Sequence, residues 1–402
     1  MASGKGVVNR LLGDLAARLL AAASRLLPDR LSPWGKAMER ELTEIPDGGS
    51  ALAFAAGCLR AVLGMVVAAQ FASLFAATHR LLSATTPSTW SLKTMNRILA
   101  RPRLLGLLCA VGAVTAGLAY MQMAGAPPRY LLVNLSALVL GATVWVGLGR
   151  ASSMPIPGTG PVILALAVTL LLTAQLGIPA DGATRWVSVG PLSLQVSLIA
   201  VPVMLVLYAR HADPVGTFGV IAAALALALQ PDRAMAGVML AGLVALVATK
   251  PSLLSVIATG AALLAAAFTL LLPDTLPAVP YVDRILYSAF DVHPVAGSFV
   301  VIGAAALIAP AIIVLTGAPS DRPALLVFGA SWAAVVIAAA LGNSPTPLVG
   351  YGGSAILGYL LSVALLPNGA REASRGGPRG AEAGTEGSPD PSISERPVPR
   401  LA

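Results

Sequence analysis

The chain has 402 residues, of which 56% are hydrophobic and 11% charged, with a net charge of +8. Its mean hydropathy of +0.81 and apolar runs of about 20 residues mark an integral membrane protein. Cys58 and Cys109, the only cysteines, sit in apolar sequence without metal or redox spacing, which excludes a disulfide framework. The basic residues are scattered through short loops rather than clustered, so nucleic acid is not an expected partner.

Residues 7–27 place Val8, Leu11, Leu12, Leu15, Leu19, Ala22 and Leu26 on one helical face, with Arg10, Asp14 and Arg18 on another. This spacing predicts an amphipathic surface helix, and the charges within it leave no clean block for a cleavable signal. A short helix is expected at 33–45, with Ser32 as N-cap, Pro33 at its first position and Pro46 as its stop. Together they make a polar N-terminal module over residues 1–50.

Eleven apolar stretches follow, near 61–78, 104–123, 130–149, 160–178, 192–209, 215–230, 234–249, 252–272, 295–317, 324–341 and 348–366. They are too long for barrel strands and do not alternate, so the expected fold is an all-α polytopic membrane helical bundle. Residues 51–103 form an extra apolar helix and a basic linker, and 104–367 the main transmembrane domain. From Asn368 the chain is rich in Gly, Pro, Ser and Glu, the composition of a disordered tail.

One set of loop ends carries Arg80, Lys93, Arg97, Arg101, Arg103, Arg150, Arg210, Lys250 and Arg322. The other carries Arg129, Arg185, Arg233 and Arg284, balanced by Asp181, Asp232, Asp274, Asp283 and Asp291. The positive-inside bias places the first set and the C-terminal tail in the cytoplasm. A span at 61–78 then puts the basic N-terminal module outside, against the same rule, unless that stretch is re-entrant.

Three outward stretches stand out: Asp181 to Ser197, Gln230-Pro231-Asp232, and "NSPTPLVGYGGSAILGYLL" before the last helix. Arg185 and Trp186 suit either an interface anchor or a contact to an anionic head group, whose oxygens a guanidinium fork fits. Gln195 and Ser197 fit interhelical hydrogen bonding. Asp232, behind Pro231, fits a helix cap. The Tyr351-Gly352-Gly353-Ser354 turn is either a helix entry or a place where backbone approaches a ligand. Asp283 is either a base or one half of an ion pair with Arg284 or Arg233. His293, His79 and His211 have no ligand spacing, and no Walker A, HExxH, GxSxG or CxxC motif occurs.

In these three stretches the chain resembles the SEDS family (shape, elongation, division, sporulation), the FtsW/RodA-like membrane glycosyltransferases. The family's Gly-Ala-x-Arg-Trp and Ser-x-Gln-Pro-Ser-Glu elements are matched by Gly182, Ala183, Arg185, Trp186, Gly190, Ser193, Gln195 and Ser197. Its Gln-Pro-Asp is matched by Gln230, Pro231 and Asp232, and its Pro-x-Pro…Tyr-Gly-Gly-Ser by Pro345, Pro347, Tyr351, Gly352, Gly353 and Ser354. The likeness spans 104–367 as a ten-helix core and leaves 61–78 as an added N-terminal helix.

The resemblance implies polymerisation of lipid II on the outer face of a bacterial inner membrane, with a divalent cation (Mg or Mn). It also implies a class B penicillin-binding protein, a transpeptidase, as partner. In "YVDRILYSAFDVHPVAG", Asp283 falls on the family's catalytic Asp, Asp291 on an acidic position and Gly297 on a glycine. It implies Asp283 as catalytic base, with Arg185, Trp186, Gln195, Asp232, Asp291, Tyr351, Gly352, Gly353 and Ser354 binding substrate. The departures are specific. The family's large outer loop before the Asp is absent, Tyr281, Val282 and Arg284 replace its neighbours, and Val196, Leu198 and Val201 replace a Pro, a Glu and a Lys. A non-catalytic scaffold or lipid-glycan-binding relative is the alternative. A secondary transporter has less support, since paired broken helices and mid-membrane charges are not evident.

Overall fold

In the computed structural model the described residues are 2–27, 32–59, 61–62, 101–151, 158–180, 183–189, 192–272, 277–316 and 321–367. Most of the expected span at 61–78 and the expected disordered tail lie outside them, as do Gly182 and Gly190.

The N-terminal module contains α1 (Ala2–Leu26), α2 (Ser32–Thr43) and α3 (Gly48–Leu59). Ala16 and Leu20 of α1 are buried against Ala51 and Ala55 of α3, while Val8, Leu11 and Leu15 are exposed. Small side chains let two helix backbones approach, so the alanine-rich side of α1 makes the contact and the leucine stripe faces outward. The Asn9 side chain ties the module together, accepting from Gly48 N at 2.6 Å and donating to Pro46 O at 3.3 Å.

The transmembrane part runs α4 (Pro102–Met123), α5 (Pro128–Ala151) and α6 (Thr159–Leu176), then three short strands, β1 (Ile178–Ala180), β2 (Ala183–Val189) and β3 (Leu192–Gln195). It continues through α7 (Val196–Arg210), α8 (Pro214–Leu229), α9 (Arg233–Thr249), α10 (Leu253–Leu271), α11 (Ile285–Val292), α12 (Pro294–Ala306), α13 (Ala309–Thr316), α14 (Arg322–Leu341) and α15 (Gly353–Ala364). Five of these helices, α4, α5, α6, α10 and α14, are long and apolar enough to cross a membrane by themselves. The chain is a polytopic helical membrane protein.

The strands are an addition to the expected all-helical fold. They form an antiparallel sheet in the order β1-β2-β3, with Trp186 opposite Ile178 and opposite Gln195. The stretch at 192–195, expected to open a helix, is therefore a strand. Its alternation of Leu192, Ser193, Leu194 and Gln195 carries the two-residue period that a strand needs.

The expected span at 295–317 is broken between α12 and α13, and Pro310 gives the reason. It supplies no N–H and its ring crowds the preceding turn, which frees carbonyls around residues 306 and 307. The buried Tyr359 hydroxyl of α15 donates to Leu307 O at 3.1 Å, satisfying one of them inside the bundle. Pro202 sits inside the continuous helix α7 and has no N–H for the Leu198 carbonyl to accept. There the Leu198 carbonyl faces Gly358, where an added Cβ would lie 2.1 Å from the oxygen.

The two ends of the bundle differ in chemistry. At one end Arg210 Nη1 donates to Leu365 O at 2.8 Å and pairs with Asp321 at 3.4 Å. Arg103 donates to Leu366 O at the same end. Cations thus meet the negative end of α15. At the other end lie the strands, Gln230 to Asp232, and the loops at 277–284 and 343–352.

Candidate functional site

The segments at this second end enclose a cavity of about 610 Å³. Arg185, Trp186, Gln195, Asp232, Asp283, Tyr351, Gly352, Gly353 and Ser354 all line it. Four separate segments thus bring nine of the ten expected site residues to one place.

Asp291 is the exception, and its placement corrects the expectation. It lies on α11, whose buried residues are Ile285 and Ala289. Two residues beyond Ala289 is about 200° around a helix, and Asp291 is exposed there, away from the cavity.

Asp232 is fully buried and caps α9, accepting from Met235 N at 3.2 Å. Its other oxygen accepts from Ser197 Oγ at 2.7 Å and from Gln195 Nε2 at 3.2 Å. Both carboxylate oxygens are occupied, so Asp232 fixes the junction of β3, α7 and α9. Gln195 extends the junction to α15, since its backbone N–H donates to Ser354 Oγ at 2.9 Å.

Arg185, on β2, is 8% exposed. Its Nε donates to Gln230 O at 3.3 Å and its Nη2 to Pro231 O. The guanidinium caps the carbonyl end of α8, and the residue lines the cavity. Trp186 follows on the same strand, half-buried.

Asp283 comes from the loop after α10. It is 9% exposed, bridges Pro345 in strand-like fashion, and accepts from Val279 N through Oδ2 at 2.8 Å. Burial pushes its carboxyl above the ordinary value, opposed by the Val279 N–H and the charge of Arg284. Of the two alternatives for Asp283, the ion pair with Arg284 or Arg233 does not form among the described residues. Arg284 Nε donates to Asn343 Oδ1 at 3.0 Å, and Arg233 Nη2 donates to Leu272 O at 2.7 Å.

The 343–352 segment crosses the bundle as non-helical backbone, buried from Thr346 to Gly350. Such backbone needs internal partners. Thr346 N donates to Val282 O at 2.9 Å and Tyr351 N to Tyr281 O, so this segment and the Asp283 loop are stitched together. Asn134 of α5 donates to Gly350 O at 2.8 Å and accepts from Gly352 N at 3.0 Å. Gly352 has φ +153°, a region open to glycine and rarely entered by other residues. Asn134 was missed by motif reading. Its signal in the sequence was a lone amide inside the apolar run 130–149.

The rest of the cavity wall is apolar, with Leu132, Val133 and Leu140 from α5 and Met235 and Val238 from α9. Among the described residues no group of three His, Cys, Asp or Glu converges as a metal site. With Asp232 occupied, Asp283 is the one carboxylate among the described residues left to the cavity. The expected divalent cation therefore has no ready-made protein cage among the described residues.

The class defined by these observations is a polytopic helical membrane protein with an amphiphilic cavity, formed by the described residues, at one end of the bundle. No known family profile and no curated protein matches the sequence. Among solved structures the chain is similar to the rod shape-determining protein RodA of Thermus thermophilus. The match to the wild-type protein has a TM-score of 0.48 and 22% identity, covering 65% of this chain and 93% of that one. The match to a point mutant has a TM-score of 0.48 and 21% identity, covering 65% and 94%.

Proposed function

We propose that the chain binds a lipid-linked glycan in this cavity on the outer face of a bacterial plasma membrane and transfers the glycan to a growing strand. The observation that carries the reading is the cavity's division. Arg185, Gln195, Asp283 and the 343–354 segment form its polar part, and α5 and α9 its apolar part. An isoprenoid diphosphate carrying sugars has the same two-part chemistry. The SEDS-like motifs supply the substrate class, lipid II, and the polar part is built from the residues that match them.

In this reading Arg185 meets the diphosphate with its free N–H groups, a charge-assisted contact in a site of low dielectric. Asp283 takes the proton of the attacking sugar hydroxyl. That oxygen bonds to the anomeric carbon of the donor, and the bond from that carbon to the diphosphate breaks, with the diphosphate leaving as an anion. Desolvation makes Asp283 more basic than a surface carboxylate, which favours this role. The basic loop ends opposite the cavity support an outward cavity and a cytoplasmic C-terminal tail. A class B penicillin-binding protein is the partner that the motifs imply.

A second reading, glycan binding without transfer, is favoured by the brevity of the connection between α10 and α11, residues 272–284. One assay separates the two. Purified protein given labelled lipid II and a divalent cation makes glycan polymer under the first reading, and Asp283→Ala abolishes it. Retained lipid II binding with no polymer supports the second reading, and absence of binding contradicts both.

A further inference from the structure

Tyr351 lines the cavity and is half-buried. One face of its ring lies against Tyr130, with centroids 3.9 Å apart and planes at 13°. Tyr281 meets Tyr130 edge-on at 6.1 Å and 72°, and the Arg129 guanidinium lies 5.2 Å from the Tyr130 centroid. The cluster is held at both ends. The Tyr281 hydroxyl donates to Ala124 O at 3.2 Å, and Tyr351 N donates to Tyr281 O. Tyr130 thus covers one face of a ring whose residue also lines the cavity.

Beside it the same cavity is lined by Asp283, Asn343 and Ser344. A rigid aromatic surface next to hydrogen-bonding groups is the complement of a pyranose ring. Such a ring has an apolar face of C–H groups, attracted to the negative face of an aromatic quadrupole, and a rim of hydroxyls. A Tyr serving as an interfacial anchor would turn toward lipid, whereas Tyr351 lines the cavity and its N–H bonds Tyr281 O, two residues before Asp283.

We propose that Tyr351, backed by Tyr130, is a sugar-stacking platform that holds one pyranose of the ligand with its hydroxyl rim toward Asp283. The inference rests on the lipid-linked-glycan reading and adds the residue that recognises the sugar rather than the lipid diphosphate. Trp186, the other aromatic in the lining, has no aromatic neighbour backing it among the described residues and stands on a strand instead of the Asp283-linked loop.

The test measures affinity in nanodiscs for two probes, undecaprenyl diphosphate bearing an N-acetylhexosamine disaccharide and bare undecaprenyl diphosphate. The wild type should prefer the sugar-bearing probe. Tyr351→Leu should lower that preference by about three- to tenfold, the range of a lost aromatic contact. Tyr351→Phe should keep it and Tyr130→Ala should weaken it. The preference is read as the ratio of the two affinities within each variant, and a wild-type melting temperature reports that the variants fold. Equal wild-type affinity for both probes, or full preference in Tyr351→Leu, overturns the platform and leaves the lipid-diphosphate site standing. Failure of wild type to bind either probe overturns the glycan reading and the platform with it.

Discussion

The Gln195 amide donates to the Asp232 carboxylate at 3.2 Å, joining the end of the β-sheet to the start of α9. Ser197 Oγ adds a second donor at 2.7 Å and Met235 N a third at 3.2 Å. This arrangement makes Asp232 an anchor. Asp232→Ala should destabilise the protein by about 2–4 kcal/mol, from a lost helix cap and stranded buried donors. Thermal unfolding in detergent measures it, with Asp232→Asn losing less. Normal stability of the Ala variant combined with lost ligand binding would instead make Asp232 a direct ligand contact.

Asp283 carries a pH signature. Its folded-state pKa lies above the ordinary 3.8 because burial disfavours the charge. The folded chain therefore holds that proton more tightly than the unfolded chain. The stabilisation is complete below pH 3.8 and is lost as pH rises from there through the raised value. Asp283→Asn keeps an acceptor for Val279 N and should flatten this part of the melting-temperature profile. In a polymerisation assay the same variant should lose about 100-fold or more in rate, and the acidic limb of the wild-type profile should lie above pH 3.8.

Arg185 serves two sets of acceptors. Arg185→Lys keeps the charge but loses the fork that caps Gln230 and Pro231. It should cost about 1–3 kcal/mol in stability and about tenfold in affinity for a polyprenyl diphosphate. Isothermal binding beside a melting curve separates the two effects. An unchanged affinity would remove Arg185 from the ligand site.

Tyr359 satisfies the carbonyl freed at the α12–α13 break. Tyr359→Phe should cost about 1–3 kcal/mol, because a buried acceptor loses its donor. Thermal unfolding of the variant beside wild type checks it, and no change would mean that Leu307 O finds another donor.

Much of this architecture was legible in the sequence. Apolar runs of bilayer length located α4, α5, α6, α10 and α14 closely, because burial in lipid leaves little room for polar residues. The residues of the Arg185, Asp232 and Tyr351 stretches were readable because polar side chains are scarce in such a chain. What escaped were features set by rotation and by partners distant in sequence. Asp291 was assigned from the family resemblance, but the turn of α11 carries it outward. The strand at 192–195 is about one turn of helix or one strand to a hydropathy scan, and its pairing with β2 decides. Asn134 and Tyr130 became site residues only through contacts with a segment more than 200 residues later.

The most direct test of the account is a binding measurement with a blocked cavity. Ser136 of α5 is exposed and lines the cavity, so Ser136→Trp should obstruct it without disturbing the buried core. With labelled lipid II in nanodiscs, the account predicts saturable binding to wild type and its loss in Ser136→Trp at unchanged melting temperature. Equal binding by the two proteins would contradict it.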